Sequence, residues 1–268
     1  MAENKDSLTD VINSSGFLFQ LRLEEEIKKS RPVSPIGEWQ QIAREHKWID
    51  SLDGKEGFID IVLESGGTTR LVIECKRVTD ASWLFLVPSD EKESRRGQFL
   101  WTESKANIFD WHNFNFNPSS LESAFCVVRG QGEKDTPLLE RLSSLLIRST
   151  EGLANEELKL TFKQERKIHV YIPVIVTNAK LYACRFNISD INIDTGKLSE
   201  SDFIEIPFIR FRKNLSSTIM SESPFTSKLS ELNRQNERTV LIINAKELTT
   251  ILRSLDLPYP LNTPWPWE

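Results

Sequence analysis

Residues 58–64 and 70–78 are rich in Ile, Val and Leu, and between them lies Ser65-Gly66-Gly67-Thr68-Thr69. Two apolar runs around a Gly-rich turn predict a β-hairpin. Apolar residues at helical spacing predict two helices. One covers 16–29, entered from Ser14-Ser15 and stopped by Pro32 and Pro35; the other, long, covers 138–163 through Leu138, Leu142, Leu145, Leu146 and Leu153, with a possible break at Gly152. A further short helix is expected over 38–45. Residues 88–120 mix charge with Trp101, Trp111, Phe114 and Phe116, and are expected to form a helix followed by an irregular segment. Residues 124–129 predict a short buried strand. In the second half, 168–177 and 180–187 predict a hairpin turned at Asn178-Ala179. Residues 204–212 predict a strand whose Pro207 marks an edge or a bulge. Residues 239–244 predict a buried strand leading into a helix over 245–255. The Pro-rich tail PYPLNTPWPWE is not helical, and its two tryptophans are expected against the body.

Strands alternating with helices, together with hairpins, predict an α/β fold with a mixed sheet and helices on its faces. No linker interrupts the pattern. Residues 1–15, polar, are expected to be flexible, and 16–268 to form one domain, with a core over about 16–187 and a strand and helix extension over about 188–268.

Composition narrows the class. The chain has 268 residues, 39% hydrophobic and 27% charged, which fits a globular protein rather than a disordered one. No apolar run is long enough to span a bilayer, and MAENKDSLTD has no signal-peptide pattern, so a cytoplasmic, non-membrane protein is expected. Cys75, Cys126 and Cys184 lie far apart with no CxxC, against a disulfide framework or a structural zinc site. The net charge of -5 counts mildly against nucleic-acid binding, although an acidic metal site itself adds negative charge. His46, His112 and His169 have no spacing that suggests a metal cluster or a triad.

The chemistry concentrates in GFIDIVLESGGTTRLVIECKRV, residues 57–78. A hairpin centred on Gly67 sets Asp60 opposite Glu74, and strand alternation puts Glu74 and Lys76 on one face with them. The other face collects Ile59, Ile61, Leu63, Leu71, Ile73 and Cys75. Two facing carboxylates repel unless a cation joins them, and oxygen donors suit Mg²⁺ or Mn²⁺. An adjacent lysine can orient or deprotonate a water and offset charge on a phosphoryl group. The competing reading is an ordinary half-exposed hairpin with solvated cross-strand ion pairs, each worth well under ~1 kcal/mol.

Asp60 followed by Glu74-Cys75-Lys76 on the next strand resembles the PD-(D/E)XK (restriction-endonuclease-like) nuclease superfamily. The resemblance implies a mixed sheet flanked by helices on both faces. It also implies a metal held by Asp60, Glu74 and the Cys75 backbone carbonyl, with Lys76 assisting the attacking water. The family's preceding helix, often G-x-x-F-E-x-x-V-x-x-x-L, is matched by Gly16, Phe19, Leu23 and Ile27, but Gln20 stands where the acid belongs. Glu24, one turn later, is the candidate substitute. The motif match covers residues 16–78.

The implied function is metal-dependent hydrolysis of DNA, with RNA not excluded, by an endonuclease suited to phage defence, restriction or repair. Partners would be DNA, a second copy in a homodimer, or other proteins of a defence system. Arg77, Arg95, Arg96, Arg210, Arg212 and Lys213 are the candidates for contacting nucleic acid. The alternative is a catalytically inactive, nucleic-acid-binding or scaffolding relative, favoured by the missing helix acid and the acidic balance.

Overall fold

The computed structural model describes residues 5–29, 38–50, 53–79, 81–129, 137–160, 166–215, 217 and 228–257. Pro32, Pro35 and the tryptophan-bearing tail lie outside these residues. Helices α1 (Lys5–Ser14) and α2 (Phe17–Lys29) come first. Strands β1 (Gln40–Ile49), β2 (Glu56–Ser65), β3 (Thr69–Lys76) and β4 (Ser82–Pro88) follow. Next are β5 (Ser94–Glu103), β6 (Ile108–Ser120), β7 (Glu122–Ser123) and β8 (Cys126–Val128). Helix α3 (Leu138–Leu160) precedes β9 (Ile168–Thr177), β10 (Lys180–Phe186), β11 (Asp202–Glu205) and β12 (Phe208–Asn214). Helix α4 (Leu229–Asn236), β13 (Glu237–Asn244) and α5 (Leu248–Ser254) complete the described chain.

Among the described residues the main sheet runs β1-β2-β3-β9-β13-β12-β7, with β5 pairing to β9 and β6 to β5. It is mixed: β1, β2 and β3 are successively antiparallel, while β3, β9 and β13 are parallel. A second sheet runs β11-β10-β4-β8.

Alternation along the central strands divides the core in two. Leu71 and Ile73 of β3, Ile172 and Val174 of β9, and Leu241 and Ile243 of β13 pack with Leu23 and Ile27 of α2 and with Ile251 and Leu252 of α5. The residues between them, including Val72, Ile175, Val240 and Ile242, pack with Leu139, Leu146 and Ile147 of α3 and with Trp83, Phe85 and Leu181 of the second sheet. Helices therefore cover both faces of the main sheet, the mixed α/β arrangement expected. No helix among the described residues is long and apolar enough to cross a membrane.

Several elements differ from the sequence expectation. Residues 5–14 of the segment expected to be flexible form α1. Residues 40–45 belong to a strand, β1, because pairing with β2 overrides the helix-forming Glu and Gln side chains. Most of the span 88–120 is a long antiparallel hairpin, β5 with β6, whose aromatic side chains pack across it, Phe99 tilted against Phe116 at 5.3 Å between ring centroids. Strands β9 and β10 do not form a hairpin; at Asn178-Ala179 the chain leaves the main sheet, and β10 pairs in parallel with β4. The single strand expected over 204–212 is divided at Ile206-Pro207, with β11 in the second sheet and β12 in the first. The strand over 126–128 is an edge, and its Val127 is 52% exposed rather than buried. Helix α3 runs through Gly152 without a break.

Candidate functional site

The β2–β3 ladder has the register expected from the turn, with Ile61 opposite Ile73 and Val62 opposite Val72. By the same register the next hydrogen-bonded rung would join Ile59 and Cys75. Instead the carboxylate of Asp60 takes that place: its Oδ2 accepts the backbone N–H of Cys75 at 2.6 Å. Ile59 departs from the expected face at the same point, packing with the α3-side core while Ile61 packs with the α2-side core. Residues two apart on a regular strand share a face, so the alternation breaks at Asp60.

β3 itself is regular, in unbroken parallel register with β9 from Thr69–Val170 to Lys76–Thr177. Glu74 and Lys76 thus lie on the face of Val72, toward α3, and Cys75 packs against the α2-side core. A residue's N–H and C=O leave an extended strand on the same side. The Cys75 carbonyl is therefore directed toward β2, like the N–H that Asp60 accepts.

The electrostatics follow from this placement. Glu74 sits between buried Val72 and Ile175, and desolvation followed by the nearby Asp60 carboxylate pushes its pKa from 4.5 up to about 7, with Lys76 partly offsetting the shift. Burial likewise raises Asp60, against the lowering effect of the Cys75 amide, and Glu45 and Lys76 also act on it. Among the described residues neither the Glu74 carboxylate nor the Lys76 amine has a hydrogen-bond or ion-pair partner. Beyond Lys76, the Asn178 side chain accepts from Val78 N at 2.7 Å and donates to Val78 O at 2.8 Å, tying the exit of β3 to the end of β9. The site thus lies at the shared C-terminal edge of β3, β9 and β13, where open α/β sheets place their ligands.

Asp60, Glu74 and Lys76 are therefore brought together. Gln20 and Glu24, both buried on α2, contribute differently. Gln20 Nε2 donates to the backbone carbonyl of Asp60 at 3.2 Å and to Glu24 Oε1 at 3.5 Å. An acid could make neither bond as a carboxylate, which explains an amide at this position. Glu24 lies within 3.7 Å of Arg44 Nη1 and acts on the Cys75 thiol, on the α2 side of the sheet rather than the Glu74 side. Glu45, expected to lie in a helix, is instead on β1 beside Asp60, where its charge raises both Asp60 and Glu74. Sequence reasoning missed it because pairing of β1 with β2 was not evident from a segment without strand-like alternation.

The basic candidates separate into groups. Arg77 reaches the Ser14 carbonyl of α1 at 3.4 Å, on the face opposite Lys76. Arg95 and Arg96 are exposed on β5. Arg210 is fully buried, donating from Nε to Ser120 Oγ and from Nη2 to Ser120 O, both at 3.1 Å, so it has no surface to offer a phosphate. Arg212 pairs with Glu237 at 2.9 Å and Lys213 with Glu140. β12 lies three strands from β3, about 14 Å away at ~4.8 Å per strand, and its Arg212 and Lys213 run toward the far end of the sheet. Near that end, Arg70, Glu157, Tyr171 and His169 satisfy one another, with Tyr171 OH donating to Glu157 at 2.6 Å. This is a structural network.

The donor set of two carboxylates and a carbonyl is hard-oxygen chemistry, which fits Mg²⁺ or Mn²⁺. Among the described residues no three His, Cys, Asp or Glu side chains converge closely enough to hold an ion by themselves. At most two ligating side chains are therefore supplied here. No protein-family model, curated protein or solved structure matches the chain.

Proposed function

We propose that this protein is a Mg²⁺- or Mn²⁺-dependent phosphodiesterase acting on DNA as an endonuclease, with a restriction-endonuclease-like core. The observation that carries the reading is the Asp60–Glu74 pair: two carboxylates from adjoining strands, both raised in pKa, one without a hydrogen-bond partner among the described residues. Holding such charges together is costly unless a cation joins them. Each fully buried Ile or Leu of the hairpin, such as Ile61 and Leu71, contributes roughly 1.5–3 kcal/mol, enough to tolerate a strained polar site for function.

Asp60, Glu74 and the Cys75 carbonyl would hold the ion, and Lys76 would stand beside them. The bound ion would lower the pKa of a water and polarise the phosphoryl oxygens. Lys76, with no ion pair among the described residues, would orient that water or offset charge developing on the scissile phosphate. Asn178 keeps β3 and the lysine in place through Val78. Gln20 anchors the Asp60 backbone through its carbonyl. The exposed Arg95 and Arg96 are the remaining candidates for contacting the DNA backbone. A role in phage defence, restriction or repair rests on association with the superfamily alone.

The test compares wild type with Lys76→Ala on plasmid and single-stranded DNA, with Mg²⁺ or Mn²⁺. The reading predicts cleavage by wild type and a loss on the order of 10²–10³-fold in the variant. If neither protein cuts with either metal yet both bind DNA equally, the inactive, nucleic-acid-binding alternative holds instead.

A further inference from the structure

Helix α1 leaves every described side chain, from Leu8 to Ser14, exposed to solvent. Yet Leu8, Val11 and Ile12 recur at the i, i+3, i+4 spacing of a single helical face. A ten-residue helix is shorter than the ~12–15 residues at which isolated helices are marginal in water, and helices of this length depend on packing an apolar face. Its end is tied to the body through Arg77, which donates to the Ser14 carbonyl at 3.4 Å, but the apolar stripe remains uncovered. Helix α2 repeats the pattern on a second face. Leu23 and Ile27 are buried in the core it shares with the sheet and α5, with Gln20 and Glu24 buried beside them. Phe17, Leu18 and Leu21, at i, i+1 and i+4, are exposed.

Together these six residues expose an area equal to about three whole residues, roughly 500–600 Å² at ~150–200 Å² each. The largest apolar patch on a typical monomer covers about 300–600 Å² and is often functional. The five residues of chain from Ile12 to Phe17 hold the two sets within ~19 Å, less than the ~30 Å breadth of a standard interface.

Charge selects among the surfaces that could cover this face. Residues 5–21 contain one lysine, two aspartates and no arginine or glutamate. Anionic lipid and nucleic acid are drawn to basic faces, so neither suits it. A second copy of the chain offers an apolar face of the same extent, and a two-fold axis sets such a patch against itself. Two copies would bury about 1,000–1,200 Å², enough for a small specific interface. We propose that the exposed faces of α1 and α2 form the interface of a homodimer. The inference is independent of the metal site, although α2 serves both, since Gln20 donates to the Asp60 carbonyl.

Sedimentation equilibrium of the full chain tests it. The samples are wild type, Val11→Glu with Ile12→Glu, Phe17→Glu with Leu21→Glu, and the control Ile193→Glu, whose residue is 93% exposed between β10 and β11. The substituted positions are exposed in a single chain, so each variant should keep the circular dichroism of a folded monomer. The expected result is a wild-type dimer at micromolar concentration and an equal dimer in Ile193→Glu. Each double variant should dissociate on the order of 10²-fold more readily, because its acids are buried without partners. A second readout needs no substitution: the backbone amides of α1 gain protection from hydrogen exchange as wild type is concentrated. The inference is overturned by a wild type still monomeric at about 100 µM, or by a dimer that either double variant leaves as strong. A loss as large in Ile193→Glu, or exchange in α1 that ignores concentration, overturns it equally.

Discussion

Asp60 Oδ2 accepts the backbone N–H of Cys75 at 2.6 Å, a side chain standing where a strand carbonyl would otherwise complete the ladder. This one contact ends the regular pairing of β2 with β3 and holds the Asp60 carboxylate against the strand that bears Glu74 and Lys76. It also separates structural from chemical effects at Asp60. Asparagine retains an oxygen that can accept the bond, so Asp60→Asn should keep the Cys75 amide protected from hydrogen exchange while abolishing cleavage. Asp60→Ala should lose both, because a buried donor left unpaired costs about 1–3 kcal/mol. Equal exchange protection in the two variants would show that the contact does not hold the strands.

Glu74 gives the site a pH signature. Its folded pKa of about 7 lies above its ordinary 4.5, so between these values the folded protein binds more protons than the unfolded chain. Stability then falls as pH rises from about 4.5 to about 7, and Asp60, also raised, acts in the same direction. A divalent ion favours the charged form and should offset the fall. Thermal denaturation across this range should show a decline in chelator that Mg²⁺ or Mn²⁺ reduces, and Glu74→Gln should flatten it. A profile unaffected by metal in wild type would count against the carboxylate pair as the binding site.

Gln20→Glu places a carboxylate on this buried face of α2 but loses the donor that reaches the Asp60 carbonyl. It also sets a second carboxylate beside Glu24. The variant should be less stable by about 1–3 kcal/mol in chemical denaturation at neutral pH, and cleave no faster than wild type. Faster cleavage at unchanged stability would mean that the helix does carry a metal ligand.

Arg210→Ala should lose on the order of 3–5 kcal/mol of stability, since Arg210 is fully buried and its removal strands Glu122 and Ser120. Arg95→Ala with Arg96→Ala should leave stability within about 0.5 kcal/mol and weaken DNA binding, with a shallower salt dependence. Denaturation and filter binding of the two variants separate these roles.

The hairpin was legible because Gly66-Gly67 and the flanking alternation fix a register in which Ile61 meets Ile73. From that register came the approach of Asp60 to Glu74. Ile59 lies on the face opposite the one expected because alternation fails at Asp60, and periodicity alone cannot show where a strand departs from it. β1 was illegible because Gln40, Gln41, Ala43 and Glu45 are helix formers on an edge strand, where tertiary pairing decides the outcome. The sheet change at Pro207 showed only as a proline inside an apolar run. Burial of Arg210 left no trace, since a core arginine and a surface one have the same spacing.

The central claim is that Asp60 and Glu74 share one divalent cation. Crystals soaked in Mn²⁺ and measured at the manganese absorption edge test it directly. The account predicts an anomalous peak about 2.0–2.2 Å from oxygens of both carboxylates. A peak touching only one of them, or none at this edge of the sheet, would contradict it.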